Sequence, residues 1–273
     1  MLKSLAQNIY CEKKECKRIF SLTLFNMDGI KTLIFIAFTL VVVCSAEEIP
    51  DFLQICHESD PQLSQCVTNS IEALKPLLKT GIPQYDIIGL EPLELGDLLV
   101  AGSKTGQGLQ ISAKDIKVYG AGNFFVKNFK IIEYASKYQF DIELPHLWVV
   151  GQYVMDGRVL FLPIKGNGNF SGNFTHGKGD VRLKGIHKEV NGQTHFMVSK
   201  LDIKITVQRG KIELENLFGG DKTLGDIINS VINENFETFS QDLIPLIEKS
   251  LSRIFKNTGN KIFKRFTLAQ LFP

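Results

Sequence analysis

The side chains of this 273-residue chain best suited to acid–base or metal chemistry are five histidines. Their positions are His57, His146, His176, His187 and His195. They show no spacing typical of a metal site or a catalytic triad, and the chain has no GxSxG nucleophile elbow. His176 and His187 could meet across a hairpin, but imidazoles on a turn are more often solvated than metal-bound. We therefore predict no enzyme activity, no metal and no cofactor, with an esterase as the least favoured alternative.

Cysteine is the second residue type that could do chemistry. Cys11, Cys16 and Cys44 lie in the N-terminal leader described below, which leaves Cys56 and Cys66 in the mature chain. In an oxidising compartment we expect these two to form one disulfide. Two cysteines alone cannot make a closed zinc site.

The leader is defined by an apolar run, Leu33–Val43, that ends in Cys44-Ser45-Ala46. About 11 residues are far fewer than the roughly 20 that a membrane-spanning helix needs, so the pattern favours a secretory signal cleaved after Ala46. Because Met27 would start a leader of ordinary length, we interpret residues 27–46 as the signal peptide and residues 1–26 as an upstream extension. A signal anchor is the alternative. We expect residues 47–273 to form a single secreted domain.

Charge argues against a nucleic-acid partner. The full chain has a formal net charge of +2, but the predicted leader holds six of its basic and three of its acidic residues, so the mature chain carries about −1. Binding to phosphates needs a clustered positive surface. We expect a monomer whose partner is a hydrophobic small molecule or lipid, and a transient membrane or receptor contact stays an open alternative.

Two helices can be placed from their start and stop signals. Ser59-Asp60-Pro61 predicts a helix start, and Gly81 and Pro83 predict its end. A second, longer helix is expected after Asp221, with a wide apolar side and a bend at Pro245.

Between about Leu109 and Leu217 the pattern changes to long runs with period-two alternation, typical of antiparallel strands. Asp156-Gly157 and Asn191-Gly192 predict hairpin turns, and Arg209-Gly210 also interrupts the runs. A glycine-rich stretch predicts either a sharply bent strand or a rim loop. It contains two glycosylation sequons, at Asn169 and Asn173, which would have to face solvent.

Large apolar side chains are in surplus, with 20 Phe residues against one Trp. A long helix wrapped by a curved sheet leaves an elongated apolar space that a ligand can occupy. From the periodicity and bulk of the side chains we select seven candidate ligand-binding residues. They are Phe125, Phe140, Trp148, Ile228, Ile232, Phe236 and Phe239.

Both ends of the mature chain resemble the insect takeout and juvenile-hormone-binding family. At the start, the resemblance is carried by Cys56-His57-Glu58-Ser59-Asp60-Pro61 with Cys66, by Gly81-Ile82-Pro83 and by Leu90-Glu91-Pro92-Leu93. At the end, it is carried by Asn216-Leu217-Phe218-Gly219-Gly220-Asp221, Leu224-Gly225, Asn229, Asn233-Glu234-Asn235, Pro245, Ile254-Phe255 and Leu271-Phe272-Pro273. The similarity covers roughly residues 49–273.

The resemblance implies an α+β fold in which a strongly curved antiparallel sheet rolls around a long helix, related to the lipid-binding modules of bactericidal/permeability-increasing proteins. It also implies an extracellular carrier of a juvenile-hormone-like isoprenoid, fatty acid or other long-chain lipid. Juvenile-hormone carriers of the haemolymph have a second disulfide later in the chain, whereas this chain has no cysteine after Cys66. That departure from the family pattern places it with the takeout branch. The alternative function is an extracellular signalling or interaction protein, in circadian, feeding or chemosensory regulation, with a filled interior.

Overall fold

The computed structural model describes residues 17–20, 40–43, 48–101, 110–159 and 162–273. The chain divides into an N-terminal unit, Met1–Glu48, and a main unit, Ile49–Pro273. In the N-terminal unit, strands β1 (Lys17–Phe20) and β2 (Leu40–Val43) pair antiparallel. The rest of the predicted extension and signal peptide, with Cys11, Cys16 and Cys44, lies outside the described residues. Cleavage after Ala46 therefore stays a prediction.

The main unit is an antiparallel sheet with helices, as the predicted α+β class requires. The order of hydrogen-bonded strands is β3-β4-β6-β7-β8, and β5 also pairs with β6. The strands are β3 (Leu93–Ala101), β4 (Gln110–Tyr119), β5 (Phe125–Glu133), β6 (Lys137–Val159), β7 (Leu162–Val190) and β8 (Gln193–Leu214). The helices are α1 (Leu63–Thr80), α2 (Lys222–Glu234), α3 (Phe236–Phe263) and α4 (Leu268–Leu271). Strand β3 lies before the region, from about Leu109 to Leu217, in which strands were predicted.

The three turn signals have different outcomes. Asn191-Gly192 is confirmed, because it joins β7 to β8 with φ values of 53° and 75°. Asp156-Gly157 is wrong as a hairpin, because both residues lie inside β6 and their ladder with β7 continues to Val159. Arg209-Gly210 likewise lies inside β8. The glycine-rich stretch forms part of β7, in agreement with the bent-strand alternative.

The long strands change their inward-facing side along one line across the sheet. The inward positions switch from Leu144 to Leu147 on β6, and between Phe174 and Gly177 on β7. The switch on β7 occurs at His176, which has a left-handed φ of 55°. A left-handed residue within a strand disturbs the pleat and bends the strand. The sheet can therefore curl around α3 while keeping its register.

The predicted long second helix is in fact two helices. Asp221 caps α2 as predicted, and its Oδ1 accepts a hydrogen bond from the N–H of Leu224 at 3.0 Å. The helix ends at Asn235, whose φ and ψ are −114° and 32° and whose Nδ2 donates to the C=O of Val231 at 2.8 Å. This local bond competes with helix continuation, and α3 starts at Phe236. Pro245 lies inside α3.

Side chains from α2 and α3 bond to the main chain of β8, the last strand in the sheet order. Three asparagines each accept from a strand N–H through Oδ1 and donate to the same residue's C=O through Nδ2, at 2.7–3.0 Å. The pairs are Asn229 with Leu214, Asn233 with Ile212 and Asn260 with Val198. We call these asparagines the seam residues. An amide side chain carries the same donor and acceptor as a peptide, so they stand in for a neighbouring strand.

The first helix starts two residues after its predicted start signal and ends at the predicted glycine. It starts at Leu63, just after Asp60 Oδ1 accepts from the N–H of Gln62 at 2.7 Å, and it ends at Gly81 with a φ of 81°. The predicted disulfide is confirmed, because Cys56 and Cys66 are bonded with their Cα atoms 6.0 Å apart. This bond fixes the segment before α1 onto the helix.

Candidate functional site

An apolar cavity of about 640 Å³ lies between the inward face of the sheet and the helices α1 and α3. All of the strands β3 to β8 contribute to its lining. Its volume falls within the range of about 300–1,000 Å³ typical of small-molecule sites. The space is therefore large enough for a long-chain or polycyclic ligand.

Four polar side chains belong to the described lining, and the polar groups of three of them have partners outside the cavity. Tyr153 Oη donates to the C=O of Glu215 at 2.6 Å, and burial raises the pKa of this phenol to about 12. Ser240 Oγ donates to the C=O of Glu237 at 2.9 Å. Lys178 Nζ lies 3.7 Å from Glu143 Oε1, with its side chain 57% exposed. Thr258 is the remaining polar residue among the described lining residues, none of which presents an ionised group to the cavity.

Three of the seven candidate residues lie on the cavity wall. Phe140 reaches it from β6, and Phe236 and Phe239 reach it from α3. Ile228 and Ile232 lie instead in a packed cluster under α2, together with Ile111, Tyr153 and Met155. That cluster adjoins the cavity, because Ile111, Tyr153 and Met155 also belong to the lining.

The structure places Phe125 and Trp148 outside the lining, which corrects the assignment from periodicity. Trp148 is 46% exposed and its ring centroid lies 5.1 Å from that of Tyr119. Its side chain faces outward because the inward side of β6 switches between Leu144 and Leu147. Phe125 is 44% exposed, and the centroid of its ring lies 4.5 Å from Lys75 Nζ in cation–π geometry.

Sequence reasoning missed cavity residues from the segment after α1 and from β3. Ile87 and Ile88 line the cavity, and Ile88 is also 37% exposed, so the cavity approaches the surface there. Leu93 and Leu95 on β3 line it as well. The alternation of Leu93 and Leu95 was the available sequence signal for β3. It stops at Gly96, whose φ is 69°.

The two predicted glycosylation residues lie on the outer surface, as do His176 and His187, which were considered and rejected as metal ligands. Asn169 and Asn173 are both exposed on β7, where Asn169 Nδ2 donates to Glu215 Oε2 at 3.1 Å and Asn173 contacts His146. Their glycosylation stays a prediction. His187 Nε2 lies 2.9 Å from the C=O of Ala135. Across the described ranges, no three His, Cys, Asp or Glu side chains come together as a metal site.

None of the helices in the described part of the chain combines the length and apolar character needed to cross a membrane.

A curled antiparallel sheet that encloses an apolar cavity with a helix defines the class of this protein as a binding protein for hydrophobic ligands. Residues 33–273 match the model of the family described as haemolymph juvenile hormone binding protein. The chain therefore belongs to that family, as its terminal motifs indicate. The family is named for the binding of juvenile hormone in haemolymph.

Several known proteins are similar over most of their length. The circadian clock-controlled protein daywake of Drosophila melanogaster is 24% identical over 247 residues, which are 84% of this chain and 90% of that protein. A putative beta-carotene-binding protein of Schistocerca gregaria is 20% identical over 81% of this chain and 88% of its own. The crystal structure of Epiphyas postvittana Takeout 1 superimposes with a TM-score of 0.71 at 22% identity, covering 80% of this chain and 99% of that one. The shared fold is thus that of Takeout 1.

Proposed function

We propose that this protein is a secreted, non-enzymatic carrier that holds a single hydrophobic molecule in its cavity. The observation that carries the proposal is the apolar space of about 640 Å³ inside a fold shared with Takeout 1. The ligand classes in view are juvenile-hormone-like isoprenoids, fatty acids and other long-chain lipids. The names of the relatives, which include a beta-carotene-binding protein, support this range.

Apolar burial alone can supply the affinity. At about 0.8 kcal/mol per buried CH₂, a fifteen-carbon isoprenoid gains on the order of 12 kcal/mol, and association costs at least about 4 kcal/mol. The absence of an ionised side chain from the described lining is therefore compatible with useful binding.

Secretion is supported by three features. These are the predicted leader before Glu47, the Cys56–Cys66 disulfide, and membership in a family named for haemolymph proteins. A disulfide persists in an oxidising compartment and is rare in the cytosol.

The second candidate is an extracellular signalling protein, which the similarity to daywake favours. That function was expected with a filled interior, whereas the interior here is open. The open cavity supports the carrier. A signalling protein whose action depends on a carried ligand would combine the two candidate functions.

The test is native mass spectrometry of the full chain secreted by insect cells, after delipidation and exposure to methyl farnesoate, methyl palmitate or palmitate. We expect a one-to-one adduct with at least one of these lipids and a monomeric mass. A protein that takes up none of these lipids would contradict the carrier function.

The same intact mass tests the processing of the chain. We expect the secreted chain to begin at Glu47, and glycan mass to disappear in an Asn169→Gln/Asn173→Gln double variant. A secreted chain that retains residues 27–46 would contradict the signal peptide.

A further inference from the structure

Four glycines on the sheet are each covered by an aromatic ring of the protein. A Cβ atom added at any of them would lie 2.7 Å or less from a ring carbon. The pairs are Gly151 with Phe170, Gly172 with Phe174, Gly185 with Phe196 and Gly210 with Phe236. In each pair, the ring packs directly against the main chain, because glycine has no side chain to keep it away. The sheet therefore uses glycine repeatedly as a receiving surface for a flat apolar group.

Gly177 and Gly179 on β7 have no such cover. The atoms nearest to an added Cβ are Leu144 Cβ at 3.5 Å and Ile142 Cβ at 3.8 Å, which are ordinary contacts between neighbouring strands. Both glycines line the cavity. Open space therefore lies over these two glycines, whereas an aromatic ring lies over each of the other four. We call Gly177 and Gly179 the glycine floor.

The glycine floor is a local widening of the cavity. The inward positions beside it, Phe174 and Val181, carry large side chains. Two successive inward positions without side chains leave a bare stretch about 7 Å long, given a rise of roughly 3.4 Å per residue. That length suits one six-membered ring or one branched group.

The chemistry of the floor is apolar although it consists of main chain. Gly177 pairs with Leu144 and Val207, and Gly179 pairs with Ile142 and Ile205, so β7 is bonded to a strand on each side. Peptide groups engaged in a ladder have little hydrogen-bonding capacity left for a ligand. The floor would therefore receive a hydrocarbon group.

We propose that the ring or branched portion of a neutral lipid lies on Gly177 and Gly179, where it takes the place that an aromatic side chain takes over the other four glycines. The two glycines are then specificity-determining residues that set the width of the ligand. This inference rests on the proposed carrier function and deepens it, since it selects ring-bearing or branched lipids over unbranched ones.

The test compares retinyl acetate, which has a ring, with methyl palmitate, an unbranched ester, by equilibrium titration of the delipidated secreted protein. In Gly177→Val and Gly179→Val, the new side chain occupies the floor, and valine suits a strand. We expect retinyl acetate to bind about tenfold more weakly, and methyl palmitate less than about threefold more weakly. The control is Lys184→Val, at an exposed position of the same strand outside the described lining, and it should bind both esters like the wild type.

The outcomes separate the inference from the function on which it rests. Equal losses for the two esters, or no loss for either, would overturn the glycine floor and leave the carrier intact. A wild-type protein that binds neither ester nor any other lipid would overturn the carrier function and the inference with it. If a valine variant does not fold, Gly177→Ala and Gly179→Ala carry the same test, because an added Cβ meets only ordinary contacts there. They should give a smaller loss, again confined to retinyl acetate.

Discussion

An apolar residue of the interior either fills the packed core or lines the cavity. Its degree of burial does not distinguish these two roles. Ile232 and Phe239 are both buried, but Ile232 is enclosed by other side chains, whereas Phe239 also borders the cavity. Truncating an enclosed side chain leaves a cavity that the surroundings cannot fill. Truncating a side chain on the cavity wall enlarges a space that is already open. The two kinds of residue should therefore respond differently to mutation.

We predict that Ile232→Ala lowers the free energy of unfolding by about 2–5 kcal/mol, because Ile232 is 0% exposed within its cluster. The matched control is Ile227→Ala on the same helix, where a 51% exposed side chain should contribute less than about 0.5 kcal/mol. Urea denaturation of both variants measures the difference. Similar losses for the two isoleucines would contradict the packing described for α2.

At the scale of elements, the seam residues explain how the last strand of the sheet avoids an unpaired edge. Strand edges with free N–H and C=O groups tend to pair with other chains. The seam asparagines lie on α2 and α3, so they satisfy strand groups and fix the helices along β8 at the same time. Glu248 on α3 adds to this attachment, since its Oε1 accepts from the N–H of Ile205 at 2.9 Å.

We predict that Asn260→Ala destabilises the protein by about 1–3 kcal/mol, because the N–H and C=O of the buried Val198 lose their partner. Asn257→Ala is the control, since Asn257 is exposed on the same helix and has the same helix propensity. Thermal unfolding followed by circular dichroism compares them. Helix propensity favours Ala over Asn at both positions, so an Asn257→Ala variant as destabilised as Asn260→Ala would contradict the role given to the seam.

For the molecule as a whole, the electrostatics of the interior should limit the class of ligand. The described lining presents no ionised group to the cavity. An ionised carboxylate that leaves water for such a space loses its hydration without gaining a partner. An ester or alcohol of the same chain length does not carry this cost. Among the lipids considered, the interior therefore favours the neutral ones.

We predict that at pH 7 the protein binds methyl palmitate at least about tenfold more tightly than palmitate, because only the acid is ionised. The difference should narrow as the pH falls toward about 4, where a carboxyl group is half protonated. Competition between the two lipids for delipidated protein, at several pH values, provides the measurement. Tighter binding of palmitate at pH 7 would indicate a cationic group in the site.

Features with local causes could be predicted from the sequence. The cap at Asp221, the end of α1 at Gly81 and the Asn191-Gly192 turn each depend on the conformation of a few neighbouring residues. The Cys56–Cys66 pair could be predicted because the other three cysteines fall in the segment interpreted as a leader. Phe140, Phe236 and Phe239 could be placed on the cavity wall because bulk and period agree at those positions.

Features that depend on distant residues could not be predicted. Trp148 continues the apparent alternation of β6, but the inward side of the strand switches two residues earlier. Asp156-Gly157 has the composition of a turn, yet pairing with β7 extends the strand beyond it. In each case tertiary contacts overrode a correct local preference.

By itself, the sequence determined the kind of elements, their caps and the apolar character of the interior, because these depend on residue type and short-range spacing. It also carried the terminal motifs that the family match confirms. Only the tertiary structure decided which side chains fill the interior and which leave it open, because that depends on where the strands bend and which atoms meet across the roll. In the sequence, Gly177 and Gly179 cannot be distinguished from the four glycines that aromatic rings cover. Only the folded chain shows that no ring lies over these two.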